Sequence, residues 1–222
     1  MKQKTQALLK LLLIYLIYFG YTSVISYILK VFGISNEIVL YFISDILFLC
    51  GITYLYKDSL KESYIKFKSS KKGSFILKWV AILFVINMVG GIITELLVPN
   101  LLEDGNTSSI YSLASLSTIY TMFKTLIFAS VAETLVYQKA IKEIITNDIL
   151  FVVVSSLIYS LVNVMYTDMS LLTVIDMVSY FVFSTVISYV YIKNDNNIIV
   201  PMVIKFFYNL IPLMLMIISI GV

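Results

Sequence analysis

Nine carboxyl, amine and amide side chains in the apolar stretches of this 222-residue chain are the candidates for chemistry. Five are ionisable: Asp45, Lys124, Glu133, Asp176 and Lys205. Glu95 stands near the end of a further stretch, and Asn87, Asn163 and Asn209 add amides. A charge at bilayer depth costs roughly 2.5–3.5 kcal/mol on insertion scales, so such groups usually pair and usually mark function. Helical spacing sorts them. Glu133 follows Lys124 by nine residues, which at about 100° per residue puts the two on nearly opposite faces of one helix. Lys205 and Asn209 are four apart and share a face, as do Tyr159 and Asn163. A carboxylate, two amides and an ammonium on three helices can therefore converge on one polar point. Spacing leaves open whether they do.

The chain has neither His nor Arg, and this excludes most hydrolytic chemistry. A zinc protease of the HExxH type and a Ser-His-Asp triad both need imidazole. An intramembrane aspartyl protease needs two facing Asp. Asp45 and Asp176 are available, but neither lies in a GxGD sequence. A Ser–Lys dyad stays chemically open, since a buried Lys124 or Lys205 can serve as a base. No Ser stands in a recognisable motif with either. The single Cys, Cys50, makes no internal disulfide and no thiolate metal site.

The elements that must position these groups follow from composition. Hydrophobic residues make up 60% of the chain and charged residues 13%, half of what a soluble domain carries. The expectation is an all-α, polytopic membrane helix bundle. A membrane span needs about 20 mainly apolar residues. Seven stretches qualify, at 8–31, 37–56, 75–98, 112–138, 149–167, 171–192 and 198–221. The first runs on past Ile25 with no small-residue cleavage site, so it reads as an uncleaved anchor.

Lysine placement predicts orientation. Segments 1–10, 57–74, 139–148 and 193–197, with Lys78, hold thirteen of the sixteen Lys. The opposite loops carry Glu37, Glu103, Asp104 and Asp168, with Lys30 near them. The positive-inside rule then puts the N-terminus in the cytoplasm and, after seven spans, the C-terminus outside. The basic loop Lys57–Ser74 reads as a topology determinant or as a segment that binds anionic lipid. Asn106-Thr107-Ser108 is a glycosylation sequon by pattern. The net charge of +3 follows this topological distribution and points to no nucleic acid. Lys in place of Arg, with abundant Ile and Asn, suggests a bacterial cell membrane.

From about residue 110 onward the chain resembles the CPBP family, which groups CAAX prenyl endopeptidases with bacteriocin-processing and bacteriocin-immunity (Abi) proteins. Members carry EExxxR, then FxxxH, then HxxxN or HxxxD on consecutive core helices. Glu133-Thr134-Leu135-Val136-Tyr137-Gln138 keeps the leading Glu, with Thr134 for the second Glu and Gln138 for the Arg. Tyr159-Ser160-Leu161-Val162-Asn163 keeps the aromatic and has Asn163 for the His. Lys205-Phe206-Phe207-Tyr208-Asn209 has Lys205 for the His and keeps the closing Asn209. The stretch from Phe183 to Tyr191 and the run Asn197-Ile198-Ile199-Val200-Pro201 also resemble the family's segment before its last motif. Residues 1–109 then form three N-terminal spans and residues 110–222 a CPBP-like core, in one integrated membrane domain.

In active members the resemblance implies a leading Glu that activates water, with two His and the final Asn completing the site, usually with a metal. Here both His are replaced, so no catalytic residue, metal or cofactor is expected. Lys205 is expected to pair with Glu133, with Asn163 and Asn209 satisfying the remaining donors and acceptors. The alternative is a snorkelling Lys205 and a protonated Glu133. The leading functional expectation is a pseudoprotease that acts as scaffold or regulator, or as a bacteriocin immunity protein. Its partner would be another membrane or cell-envelope protein, or a secreted peptide. The aromatic first span (Tyr15, Tyr18, Phe19, Tyr21, Tyr27) offers one binding surface. The alternatives are a CAAX-type intramembrane endopeptidase using Glu133 and a small membrane transporter.

Overall fold

The computed structural model describes residues 2–97, 116–165 and 167–220, and every regular element among them is helical. The elements are α1 (Lys2–Val31), α2 (Glu37–Leu55), α3 (Lys57–Lys68), α4 (Gly73–Leu97), α5 (Thr118–Lys142), α6 (Asp148–Val164), α7 (Leu171–Lys193) and α8 (Ile199–Ile220). Side-chain caps start four of them. Asn36, Ser117, Asn147 and Ser170 each accept from a backbone N–H of the first turn that has no helical partner. The sequon at Asn106 and the loop around it lie outside the described residues.

Six of these helices are long and apolar enough to cross a membrane. The stretch expected at 149–167 differs. It is a 17-residue helix, about 25 Å long at 1.5 Å per residue. Its end is set by polar residues that take over the backbone. Thr167 Oγ1 donates to the Val164 carbonyl at 2.8 Å, and Thr173 Oγ1 donates to the Asp168 carbonyl at 2.5 Å. The seven expected spans are therefore six full-length helices and one short apolar helix.

The basic segment 57–74 is not simply a loop, because its first twelve residues form α3. Ser63 on α3 faces the bundle. Its carbonyl accepts from Asn197 Nδ2 at 2.9 Å and its Oγ from the Ile198 N–H at 3.4 Å. Asp195 and Asn196, both with positive φ, make the turn that delivers Asn197, and Asp and Asn tolerate that conformation better than most residues. On the outer face of α3, Lys66 donates to Glu62 at 2.7 Å, and that hydrogen bond holds the Glu62 carboxyl below its usual range. Lys10 of α1 bonds Glu143 at 2.9 Å and sits 4.1 Å over the Tyr56 ring. Lys142 meets Asp148 across the turn from α5 to α6. The Lys-rich segments thus gather at one end of the bundle.

Packing follows side-chain size. α6 and α7 run antiparallel along a seam of buried hydroxyls, Ser155, Ser156, Ser160, Ser184 and Ser188. Small residues let two helices approach closely where lipid offers no hydrophobic drive. Across the bundle α1 turns Tyr15, Tyr18 and Tyr21 inward against Phe48, Phe128 and Tyr137. Three of the five aromatics expected as a binding surface are therefore core, while Phe19 and Tyr27 stay exposed.

α5 crosses the centre and, among the described residues, is the only helix with two π-helical stretches, Phe123–Phe128 and Thr134–Lys139. Its first stretch carries Lys124, which meets both oxygens of buried Asp45 on α2 at 3.0 and 2.9 Å. Tyr120 donates to the same carboxylate at 3.0 Å, and Tyr21 of α1 donates to it as well. The Lys124 ammonium also stands 4.0 Å from the centre of the Phe128 ring. One charge pair and two phenols thus tie α1, α2 and α5 together.

The Lys124 side chain is 36% exposed but Asp45 is buried, so removing the cation strands a buried charge and costs more than removing one hydrogen bond to a charged group, about 1.5–3 kcal/mol. Lys124→Ala is expected to lower the free energy of unfolding in bicelles by more than Tyr21→Phe does. Equal losses would show that the ammonium is not the main partner of Asp45.

Candidate functional site

Glu133 stands between the two π stretches of α5, at the end of the α-helical turn Ala129–Glu133. Lys205 lies in the first half of α8, and its Nζ is 2.8 Å from Glu133 Oε2. The two are unequally covered: the Lys205 side chain is 3% exposed and that of Glu133 20%. Two rings complete the surroundings of the ammonium. Their centres lie at 5.3 Å for Tyr159 on α6 and 5.8 Å for Phe183 on α7, within cation–π range. Four helices therefore converge on one cation. Tyr137 packs edge-on to Tyr159 at 5.1 Å and to Tyr18 at 5.7 Å, which walls the centre with phenol rings.

The other motif positions go elsewhere. Thr134 is buried and donates to the Ser130 carbonyl of its own helix at 2.7 Å. Gln138 is buried too, and its Nε2 reaches Ser188 Oγ at 3.4 Å. Ser188 in turn contacts Ser155, so Gln138 serves the seam between α6 and α7. Asn163 is exposed near the end of α6 and donates to the Tyr159 carbonyl at 2.8 Å. Asn209 donates to the Thr125 carbonyl at 3.0 Å, joining α8 to the first π stretch of α5. The expectation that both amides complete the Glu133–Lys205 pair is thus corrected. A carbonyl within one helical turn competes successfully for Asn163, and a carbonyl of the neighbouring helix takes Asn209.

The remaining templates separate in space. Asp45 faces α1 and α5, whereas Asp176 lines a cavity between α4, α7 and α8. Both candidate dyad bases, Lys124 and Lys205, have a carboxylate in contact with their ammonium groups. A metal does not fit the centre either. Among the described residues no three His, Cys, Asp or Glu side chains are grouped to hold one. The one carboxylate present is already bonded to an ammonium, which would repel a second cation at the same oxygen.

The arrangement places one charge pair at the meeting point of four helices. Lys205 engages Glu133 through Oε2 alone, so the contact leaves the other carboxylate oxygen with its lone pairs. An amide at Asn163 exchanges no proton near neutral pH. The centre also lies beside a large space. A cavity of about 1040 Å³ reaches Thr125, Tyr159, Phe183 and Asn209, so two rings that flank Lys205 also line that cavity. Sequence reasoning identified neither this cavity nor the Asp45–Lys124 pair. A signal for the pair was present in two lone opposite charges on neighbouring apolar stretches.

Residues 107–211 match the family model described as type II CAAX prenyl endopeptidase Rce1-like. The match covers a little under half of the chain, and over that segment the chain is similar to this family. The match spans all three motif-like runs, Glu133–Gln138, Tyr159–Asn163 and Lys205–Asn209, together with α5, α6, α7 and the first half of α8. Neither the curated proteins nor the solved structures compared with the chain give a match. The Rce1-like segment and the helical bundle together establish a multi-pass membrane protein with a CAAX-protease-like core.

Lys205→Ala leaves the Glu133 carboxylate without its counter-charge and is expected to cost about 3–5 kcal/mol of stability. Adding Glu133→Ala removes the orphaned charge, so the double variant should be more stable than Lys205→Ala alone. A thermodynamic cycle of unfolding measures this. Simple additivity of the two single changes would show no coupling between the groups.

Proposed function

We propose that this protein is a non-catalytic CPBP-family membrane protein, a pseudoprotease. It binds and regulates another membrane or cell-envelope protein, or protects its cell from a secreted bacteriocin as an immunity protein. The observation that carries the reading is the 2.8 Å contact of Lys205 Nζ with Glu133, at the position where the family resemblance would place an imidazole. A carboxylate held by an ammonium is organised for stability. The competing reading, an endopeptidase using Glu133, draws on the 20% exposure of that side chain. It lacks a second group able to take and return a proton.

The lysine distribution supports a cytoplasmic placement for the N-terminus of α1, for α3 and for the turns at Glu143 and Asn194, with the C-terminal end of α8 outside. The basic composition without Arg supports a bacterial cell membrane as its location.

Turnover decides between the two readings. Purified protein incubated with a farnesylated CAAX peptide or a leader peptide is expected to release no fragment by mass spectrometry, with Glu133→Gln indistinguishable from the unaltered protein. Cleavage that disappears in Glu133→Gln would establish the endopeptidase. Orientation is tested separately in a Cys50→Ala background. A membrane-impermeant maleimide should label Met169→Cys on intact cells and Ser69→Cys only after permeabilisation. The opposite pattern would invert the topology.

A further inference from the structure

The lysine-rich helix α3 has no part in the centre described above. Its inner face belongs to the bundle. Leu60 and Phe67 each pack against a buried hydrophobic cluster, and Ser63 bonds the residues that lead into α8. These contacts hold α3 at the Lys-rich end and fix which of its residues face outward.

The outer face is divided by charge. Lys57, Lys61, Tyr64 and Lys68 follow one another at intervals of four, three and four residues, and all four are exposed. They form one stripe about 16 Å long at 1.5 Å per residue. The acidic residues of α3, Asp58 and Glu62, lie on the adjacent flank, where Glu62 is bonded to Lys66. Lys10, Lys139 and Lys142 at the same end of the bundle each have a carboxylate partner. Among the described residues no carboxylate is in ion-pair contact with Lys57, Lys61 or Lys68. The stripe also begins where a span ends. Tyr54, in the last turn of α2, is 72% exposed, and the Lys57 ammonium stands 4.6 Å from the centre of its ring. Tyrosine favours the headgroup level of a bilayer, and Tyr64 carries a second exposed phenol along the stripe.

We propose that this stripe is a docking surface for anionic phospholipid headgroups in the leaflet at the Lys-rich end, with Lys57, Lys61 and Lys68 donating to phosphate oxygens. A basic segment next to a span is attracted to an anionic leaflet. A zwitterionic headgroup carries its own cation, which competes with lysine for the phosphate. An acidic protein segment would meet the lysines, but the phenol at the end of α2 places the start of the stripe beside lipid. Because the bundle already holds α3 as a helix, little ordering is left for the lipid to impose. Nothing in this surface depends on whether Glu133 is catalytic.

Trp79 is the single tryptophan of the chain and packs on the same cluster as Phe67, so it reports from beside α3. The full chain is placed in phosphatidylcholine nanodiscs with a small, varied fraction of phosphatidylglycerol or phosphatidylcholine carrying a dansyl group on the acyl chain. Energy transfer from Trp79 reads their association. One lysine near an anionic surface is worth about fivefold, so the labelled phosphatidylglycerol is expected to associate at least about fivefold more strongly than the labelled phosphatidylcholine. Lys61→Gln with Lys68→Gln should remove most of that preference, and Lys61→Arg with Lys68→Arg should keep it. Lys78→Gln with Lys193→Gln removes equal charge from exposed positions outside the stripe and should leave the preference in place. Equal association of the two lipids, or equal loss in the two Gln pairs, overturns the inference. Displacement of the labelled lipid by inorganic phosphate would mark a site for soluble anions, and displacement by poly-glutamate a site for an acidic protein. Either overturns the assignment to lipid.

Discussion

An ion buried among apolar helices must find its counter-ion inside the protein, because lipid offers none. That constraint organises this bundle. α5 carries Lys124 and Glu133 on opposing faces, and each recruits an opposite charge from a different helix: Asp45 from α2 and Lys205 from α8. The two pairs bracket α5 and fix its rotation. The π-helical stretches coincide with this arrangement, one containing Lys124 and the other beginning directly after Glu133. Such stretches occur mostly as single turns inside α-helices, frequently at functional sites.

The two pairs differ in what surrounds them. Asp45 accepts from an ammonium and two phenols, so its carboxylate is saturated by donors. Glu133 accepts from Lys205 through one oxygen, and its side chain keeps some exposure. The first pair is thus a tie between α1, α2 and α5. The second sits at the crossing of the four Rce1-like helices, where charge and aromatic rings meet next to open volume.

Much of this was legible in the residues. Apolar run lengths gave the helices, because a span requires an uninterrupted stretch and little else. The order of Glu133, Tyr159–Asn163 and Lys205–Asn209 gave the core. What escaped prediction depended on local competition that no period encodes. Asn163 and Asn209 were expected at the ion pair, but backbone carbonyls within reach claimed both amides. Gln138 turned to the Ser188 hydroxyl of the serine seam. Tyr15, Tyr18 and Tyr21 share a helix with exposed aromatics, and only the neighbouring Phe48, Phe128 and Tyr137 decide which ones face inward. The end of the fifth apolar stretch was set by threonine hydroxyls bonding backbone carbonyls, a polar effect invisible to a hydropathy count.

The brevity of α6 has a consequence for the surrounding lipid. A helix of 17 residues falls roughly 5 Å short of a hydrocarbon layer about 30 Å thick. Acyl chains beside it must compress or tilt to cover its ends, at a fraction of a kcal/mol for each ångström of mismatch. Its neighbours α5 and α7, at 25 and 23 residues, impose no such strain. The annulus is therefore uneven, thinned along one side of the bundle, and a neighbouring protein with an equally short hydrophobic belt would relieve that elastic deformation by settling there.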